Sequence, residues 1–334
     1  MLGELRTWEE FLCPEVEELA AKPRRVLRSL HENAKKHLQG EIAKFCRSNF
    51  ADMDKRKLSR LYEEVKAFRG LVMPLDAFEQ KFSKILPAVR AGAPAHANVH
   101  ISLWGLQFWF PEDALAKDLR TALAMLQEIS QQLEPLENTK HVDLISQRAQ
   151  LTELLRRKMF ASRSAVLTSF NLLESYLNGI AWDFTRQPHA LAQLSQRQQK
   201  LIKDTSGTSI TDKMQKYPTI ISNRVLDKKT QDLLGVLKDT VKPFRDSLVH
   251  ASPFSAPERF GGYNKLRALY RVDVDTAQLA ISMVVEAIHL INAHIHGPDV
   301  AEPRWLSELR GDVNEARIPI PQQWEHLGHL QWMT

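Results

Sequence analysis

The segment Phe244-Arg-Asp-Ser-Leu-Val-His250 carries side chains suited to proton transfer beside a phosphate group. Arg245 stays charged at every physiological pH, and the fork of a guanidinium matches two phosphate oxygens. An imidazole such as that of His250 has an unperturbed pKa of about 6.5, so it can act as an acid or a base around neutral pH. Asp246 follows the arginine directly. Such a short motif also arises by chance, and the alternative is a surface Arg245–Asp246 ion pair with His250 capping a helix end.

Two prolines bound the helix that is expected to position these residues. The helix either begins near Pro243 or kinks there, and in both cases Arg245 lies close to a helix N-terminus, whose positive end attracts phosphate. Pro253 ends the element just beyond His250. Five residues amount to about 140° more than one helical turn, so a straight helix does not aim Arg245 and His250 at one point. The pair converges if His250 lies at a frayed helix end, or if a partner subunit completes the site.

Most of the chain repeats apolar residues at helical spacing, which predicts an all-α fold. The richest stripe runs from Ser162 to Phe184, and a second strong one runs from Asp275 to Ile295, where Gly297-Pro298 follows as a stop signal. Apolar stripes also predict helices over 24–45, 58–68, 78–85 and 115–133 and within 226–249.

Two regions depart from this helical pattern. Val99, Ile101 and Leu103 alternate with other residues, so a short extended segment is expected near 98–110, within the otherwise all-α chain. Residues 193–209 are polar and end in the loop-forming Thr205-Ser-Gly-Thr-Ser209, which predicts a solvated excursion.

The Arg/His segment and the helix before it together resemble the HEPN superfamily. The signature of that family is an arginine, a polar residue, a few mostly apolar residues and a histidine, as in 245–250. The sequence Ser169-Phe-Asn-Leu-Leu-Glu-Ser-Tyr-Leu-Asn178 is similar to the family's earlier core helix, which turns a small-polar and Glu-bearing face towards the motif. The order of the elements matches as well. The resemblance covers about 155–297, which is under half of the chain.

This resemblance implies a helical bundle that forms a homodimer, so that two Arg/His motifs meet in one cleft. Many such domains are metal-independent endoribonucleases of toxin, antiphage, stress-response or RNA-processing systems; others bind nucleotides or proteins without catalysis. By position, Arg245 and His250 are the expected catalytic pair and Asp246 their polar neighbour. The supporting residues are Glu174, Ser247 and Asn178, of which Glu174 either bonds Arg245 or lines a polar seam. No cofactor or metal is expected, and the expected partners are RNA, a second copy and an antitoxin or regulatory protein.

A mixed aromatic and basic segment follows the motif. Aromatic faces can stack on unpaired bases while cations follow the phosphates, which makes this segment a candidate for RNA binding. The alternative is a solvated loop that leads into the next helix. The residues concerned are Tyr263, Lys265, Arg267, Tyr270 and Arg271.

The predicted organisation has three parts. An N-terminal helical region of unknown role covers 1–140, the HEPN-like bundle covers 141–298, and an irregular arm with Pro and Trp residues covers 299–334. A purely structural helical interaction protein, in which the Arg/His pair has no role, is the third class that the sequence allows.

Composition excludes several classes and leaves the partner open. The chain has 334 residues, 43% hydrophobic and 25% charged, which excludes a disordered or collagen-like protein. Its net charge of +5 permits a polyanionic partner without requiring one. Two cysteines form neither a disulfide framework nor a zinc site. With an acidic N-terminus and no long uninterrupted apolar run, the sequence favours a cytoplasmic protein without membrane contact.

Overall fold

The structure is a computed structural model in which two compact units, Met1–Phe110 and Pro111–Thr334, are distinguished. We call them the N-terminal unit and the C-terminal unit. The described residues are isolated positions between 23 and 60, together with 71–81, 84–85, 93–102, 105–137, 145–249 and 268–315.

The N-terminal unit contains a small antiparallel sheet. Its strands are β1 (Leu71–Pro74), β2 (Asn98–Ser102) and β3 (Gly105–Trp109), in the order β1-β2-β3. Helix α1 (Leu75–Lys81) begins where β1 ends and packs on β1 and β2 with Phe78 buried. The extended segment predicted near 98–110 is confirmed as the β2–β3 hairpin, in which Ser102 pairs with Gly105. The described part of the chain is therefore mostly helical with one small sheet. The strand β1 was not predicted, because its four residues are too few to show an alternating pattern.

The C-terminal unit is helical throughout its described part. Its elements are α2 (Pro111–Glu137), α3 (Arg148–Thr185), α4 (Pro188–Ala192), α5 (Gln196–Lys203), α6 (Ile210–Ser222), α7 (Lys228–Val236), a π-helical segment (Leu237–Val241), α8 (Lys242–Val249), α9 (Val274–His296) and α10 (Arg304–Glu315).

Helix α3 is the centre of the C-terminal unit. It packs against α2 and α9 and also contacts α4, α5, α6 and α8. The predicted stripe is the reason, because Val166, Phe170, Leu173 and Leu177 are all buried. Removing these side chains from water is favourable by roughly 1.5–3 kcal/mol for each large aliphatic or aromatic residue. The helix starts at Arg148, well before the predicted stripe begins.

Helix α9 lies in the interior of the same unit. Asp273 caps it by accepting a hydrogen bond from the Thr276 N–H, and it ends at Gly297, whose φ of 96° suits a residue without a side chain. Among the described helices it is the one long and apolar enough to cross a membrane by length and composition. Its apolar residues pack within the bundle, where Ile281, Val284 and Ile288 are fully buried.

Within the predicted solvated excursion at 193–209, Gln196–Lys203 is the helix α5, whereas 204–209 form a loop as expected. Ser195 and Gln198 form a capping box that begins α5, and Ser209 accepts a hydrogen bond from the Asp212 N–H to begin α6. Ile202 is buried, so α5 also contributes to the core. The polar composition that indicated a loop consists largely of cap residues and of the exposed face of α5.

Helices α7 and α8 are joined by the π-helical segment into one continuous helix. The Lys242 N–H donates to the Leu237 carbonyl five residues back, which is the π pattern. Pro243 explains this widened turn, because proline has no N–H and its ring clashes with the carbonyl four residues before it. Pro243 thus lies inside a continuous helix that begins at the Asp227 cap, and the expectation that Arg245 lies near a helix N-terminus is wrong.

The domain boundaries also differ from the predicted ones. Helix α2 packs along α3, so it belongs to the C-terminal unit, whereas the sequence pattern assigned 111–140 to the N-terminal region. Part of the expected irregular arm is the helix α10, which packs on α2 and α9 with Trp305, Leu306 and Leu309 buried. Arg120 of α2 binds both Glu308 and Asp312 of α10, at 3.2 Å for Glu308.

Candidate functional site

An ion cluster on α8 surrounds the carboxylate of Asp246. The Arg245 guanidinium donates to Oδ1 at 3.1 Å, and the Lys242 ammonium donates to Oδ2 at 2.5 Å. We call Lys242, Arg245 and Asp246 the α8 cluster. The Arg245 side chain is 20% exposed and that of Asp246 24%, so both are within reach of solvent without being fully hydrated.

The α8 cluster carries two positive charges and one negative charge. In the described part of the chain Arg245 uses one guanidinium nitrogen in bonding, so further donors of its planar fork are open to an anion. Asp246 holds Arg245 and Lys242 close to each other, because each of its oxygens binds one of them. This arrangement can hold a phosphate oxygen against two cations.

Ser247 faces the interior rather than the α8 cluster. Its hydroxyl donates to the Phe244 carbonyl at 2.6 Å, and its side chain is fully buried. A small polar residue fits this buried position, because its hydroxyl bonds to the backbone of its own helix. The observed contact of Ser247, which was predicted to support the site, is therefore a structural one.

Glu174 binds a lysine that the sequence did not indicate. The Lys213 ammonium of α6 donates to Glu174 Oε1 at 2.6 Å, and the Lys213 side chain is only 2% exposed while that of Glu174 is 33% exposed. A buried ammonium needs such a partner because its desolvation is costly. Glu174 thus joins α3 to α6 through Lys213, whereas the sequence analysis considered a bond from Glu174 to Arg245.

Asn178 lies one helical turn after Glu174 on α3, and therefore on the same face. Its side-chain Oδ1 is buried without a hydrogen-bond partner in the described part of the chain. Buried amide oxygens are usually bonded, so Asn178 is an atypical member of the predicted supporting set.

The end of the predicted RNA-binding segment lies beside α3. Residues 268–271 are helical, and Arg163 of α3 donates to the Leu269 carbonyl at 3.5 Å. Tyr270 is 73% exposed, and Arg271 is exposed as well. An aromatic ring and a cation therefore reach solvent on neighbouring residues.

Four of the residues singled out by sequence lie outside the described part of the chain. They are His250, Tyr263, Lys265 and Arg267. Arg245 and Asp246 are therefore brought together, while the catalytic role of His250 and its position relative to them stay predictions.

The histidines near the end of α9 have separate partners. His289 contacts Glu302, which also accepts from Arg310 at 2.7 Å, while the His294 Nε2 lies 2.8 Å from the Ser222 hydroxyl. Burial lowers the pKa of His296, against an opposing effect of the Asp183 carboxylate. These contacts tie α9 to α6 and to the segment before α10, and they do not direct the three imidazoles to one ligand.

Lys242 is the member of the α8 cluster that sequence reasoning missed. A signal for it exists, because Lys242 and Asp246 are four residues apart and such pairs meet on a helix surface. Lys213 has no comparable signal, since 39 residues separate it from Glu174.

The fold and the α8 cluster define a helical bundle in which a long central helix supports a partly buried Lys–Asp–Arg group. Neither family models, nor curated proteins, nor solved structures give a match to this chain.

Proposed function

We propose that the chain is a metal-independent endoribonuclease of the HEPN type. The observation that carries the proposal is the packing of α8, which bears Arg245 and Asp246, directly against α3, which bears Glu174 and Asn178. These are the two helices that the family resemblance pairs. Helix α9 closes the group by packing on α3, on α7 and on the π-helical segment.

The proposed reaction uses the ribose 2′-OH of the substrate as the nucleophile. Its oxygen forms a bond to the adjacent phosphorus while the bond from phosphorus to the 5′ oxygen breaks. A base takes the proton of the 2′-OH and an acid protonates the leaving 5′ oxygen, which gives a 2′,3′-cyclic phosphate and a 5′-OH. No electrons are exchanged with a co-reactant. We assign the proton transfers to His250, because imidazole titrates near neutral pH.

Arg245 and Lys242 have different roles in this proposal. Charge on the phosphorane grows as the 2′ oxygen attacks, and the open donors of Arg245 stabilise it with a fixed fork geometry. Lys242 supplies a second positive charge in the α8 cluster. Asp246 is a positioning residue, since it holds both cations and would repel the phosphate itself.

The experiment is RNA cleavage by the purified full-length chain in the presence of EDTA. Wild type is expected to cut single-stranded RNA, and Arg245→Ala and His250→Ala are each expected to lower the rate by about a hundredfold or more. Lys238→Ala is the matched control, because Lys238 is an exposed cation of the adjoining π-helical segment that contacts Asp239. Its rate should stay close to that of wild type.

The runner-up, a non-catalytic module that binds a nucleotide or a protein, gives a different result. It predicts ligand binding without RNA turnover and no growth defect when the chain is overproduced. Cleavage that survives Arg245→Ala, or that requires a divalent metal, contradicts the proposed mechanism. Thermal unfolding of each variant separates lost activity from lost structure.

A further inference from the structure

The N-terminal half of α3 exposes an aromatic and basic face to solvent. Arg156, Phe160 and Arg163 follow one another at spacings of four and three residues, which places them on one side of the helix. The Phe160 side chain is 65% exposed, although phenylalanine is usually buried. Leu154 and Ala161, on the opposite side of this part of α3, are buried. The helix is therefore packed on one side while the Phe160 ring reaches solvent on the other.

The same stretch of α3 is strongly basic. Residues 148–163 contain five cations and one carboxylate, that of Glu153, which is a net charge of +4 against +5 for the entire chain. Arg157 lies 3.8 Å from Glu128 of α2, whereas Arg156 forms no ion pair within the part of the chain that the structure describes. A local excess of positive charge of this size attracts a polyanion.

Arg163 keeps most of its hydrogen-bond donors open. One terminal nitrogen of its guanidinium donates to the Leu269 carbonyl at 3.5 Å. Its Nε is buried and has no hydrogen-bond partner among the described residues. A guanidinium carries five N–H donors, and donors in this planar fork match the oxygens of a phosphate group.

A second exposed ring adjoins this face through the Arg163–Leu269 bond. Tyr270 follows Leu269 directly and is 73% exposed, and the exposed Arg271 comes next. Two rings and several cations therefore reach solvent in one region of the C-terminal unit. We call this region the α3 surface, and its members are Arg156, Phe160, Arg163, Tyr270 and Arg271.

We propose that the α3 surface binds single-stranded RNA. Exposed rings stack on unpaired bases whatever the sequence, while arginine side chains follow the phosphates. A duplex keeps its bases stacked inside, so it offers only its backbone to such a surface. Arg163 and Glu174 are eleven residues apart, close to three helical turns, so this side of α3 continues to Glu174. Only the identification of the bound strand as the substrate rests on the proposed function.

A second copy of the chain fits the α3 surface less well than a nucleic acid does. In a two-fold dimer the same patch of each subunit meets its counterpart. Arg156 and Arg163 would then face the arginines of the partner, and like charges repel one another across an interface. A single strand instead brings negative charge to the cations and flat bases to the rings.

The experiment is fluorescence anisotropy of a labelled strand mixed with the full-length chain. The probe is an unstructured 2′-O-methyl RNA of about 20 nucleotides, which is longer than typical single-strand sites. Its 2′ oxygens are blocked, so the proposed reaction cannot cut it. The wild-type chain is expected to bind this probe, and to bind a duplex of the same strand about tenfold more weakly or less.

The aromatic and basic members of the α3 surface have separate signatures. Phe160→Ala and Tyr270→Ala should each weaken binding of the probe about fivefold or more without changing its salt dependence, because stacking on a base involves no phosphate. Arg156→Gln should weaken binding and lower the slope of log affinity against log salt by about 0.7, the value for one phosphate contact on a single strand. Glu153→Gln should tighten binding about twofold, since it removes a negative charge from this stretch.

Two variants elsewhere in the C-terminal unit are the matched controls. Val225 is an exposed apolar residue between α6 and α7, and Arg197 is an exposed arginine of α5. Val225→Ala and Arg197→Gln should each keep the affinity and the salt dependence of wild type. Thermal unfolding verifies that every variant is folded.

The proposal is overturned if the probe does not bind, if the duplex binds as tightly as the single strand, or if Phe160→Ala and Tyr270→Ala both bind as wild type does. A Phe160→Ala variant that loses self-association in analytical ultracentrifugation but keeps its affinity for the probe would assign the α3 surface to a second copy instead. Because the probe cannot be cut, a failure of the ribonuclease proposal leaves these binding results intact. Loss of the binding proposal in turn leaves the Arg245 and His250 cleavage tests intact.

Discussion

Asp246 connects the two cations of the α8 cluster, and its removal tests what the cluster positions. Asp246→Ala leaves Lys242 and Arg245 without their shared partner, so we expect the free energy of unfolding to fall by about 1 kcal/mol, as for a partly exposed ion pair. We expect RNA cleavage to fall by about tenfold or more, since a misplaced Arg245 stabilises the transition state poorly. Urea denaturation and cleavage rates measure the two effects.

The control for this prediction is Asp239→Ala. Asp239 is 73% exposed and contacts Lys238 at 3.7 Å in the π-helical segment. It should change neither quantity appreciably. Equal losses of activity in the two variants would mean that Asp246 does not position Arg245.

Glu174 gives a second prediction at the scale of single residues, this time for stability. Glu174→Ala leaves the ammonium of Lys213 buried without its carboxylate, so the free energy of unfolding should fall by about 3 kcal/mol. Lys213→Met should cost less, because it leaves a carboxylate that is already partly exposed and adds an apolar side chain to the interior. Chemical denaturation of both single variants makes the comparison. A larger loss in Lys213→Met contradicts this account.

Arg245 and Asp246 could be predicted from the sequence, because their residue types are informative and the two are neighbours on one helix. The Glu174–Lys213 pair could not be predicted from the sequence, since it depends on how α6 packs against α3. The sequence named Glu174 but not its partner, and the partner decides whether a carboxylate serves the chemistry or the fold.

At the scale of elements, Pro243 sets the direction of every side chain after the π-helical segment. An extra residue in one turn rotates the following part of the helix by about 100° relative to a regular α-helix. Pro243→Ala restores an N–H and removes the clash that favours the wide turn. We expect stability to stay the same or rise by up to about 3 kcal/mol, and cleavage to fall because Arg245 rotates away.

Pro218→Ala is the matched control, because Pro218 lies inside α6 without an adjoining π-helical segment. It should leave cleavage unchanged. A Pro243→Ala variant that cuts RNA as wild type does would show that the widened turn has no part in positioning Arg245.

The cap of α7 gives a prediction for pH dependence. Burial of the Asp227 carboxyl opposes its ionisation, but hydrogen bonds from the N–H and hydroxyl of Thr230 outweigh this and hold the Asp227 pKa below its usual value. Because the folded pKa is the lower one, the charge stabilises the fold above the unfolded pKa of about 3.9. That contribution is lost as pH falls through the folded pKa.

The variant Asp227→Asn tests whether the stabilisation by the Asp227 charge is lost as the pH falls. It should lower the urea midpoint at about pH 7, with a loss of about 1 kcal/mol or less, and the difference from wild type should shrink towards about pH 3. Asp232→Asn, an exposed position on the same helix, should show no such trend. A difference that grows as the pH falls would contradict the assignment.

The long helices were predictable because their apolar stripes are long. Both α3 and α9 follow stripes that persist over several turns, and both are confirmed. The short helix α5 was missed because one buried residue, Ile202, is too few to form a stripe. Its capping box was the available signal, and it lay within composition that indicated a loop.

At the scale of the whole molecule, the division into two units follows from α2. Its residues Leu119, Leu126 and Leu133 are buried and the helix packs on α3, so the boundary lies before Pro111. A stripe in the sequence shows that a helix buries one face, but it does not show which neighbour covers that face. The predicted boundary at 140 followed a proline near the end of α2, and this proline lies inside the helix.

We propose that the ribonuclease acts as a dimer in which the partner subunit completes the site, which is one of the two ways in which an Arg and a His five residues apart on a helix can converge. The dimer therefore predicts a dependence of the rate on protein concentration. On dilution, the cleavage rate per chain should fall together with the dimer fraction measured by analytical ultracentrifugation. A covalently linked tandem of two chains is the control, since its rate should not change on dilution. A rate per chain that stays constant while the dimer dissociates would place the whole site in one chain, and would require His250 to meet Arg245 without a partner.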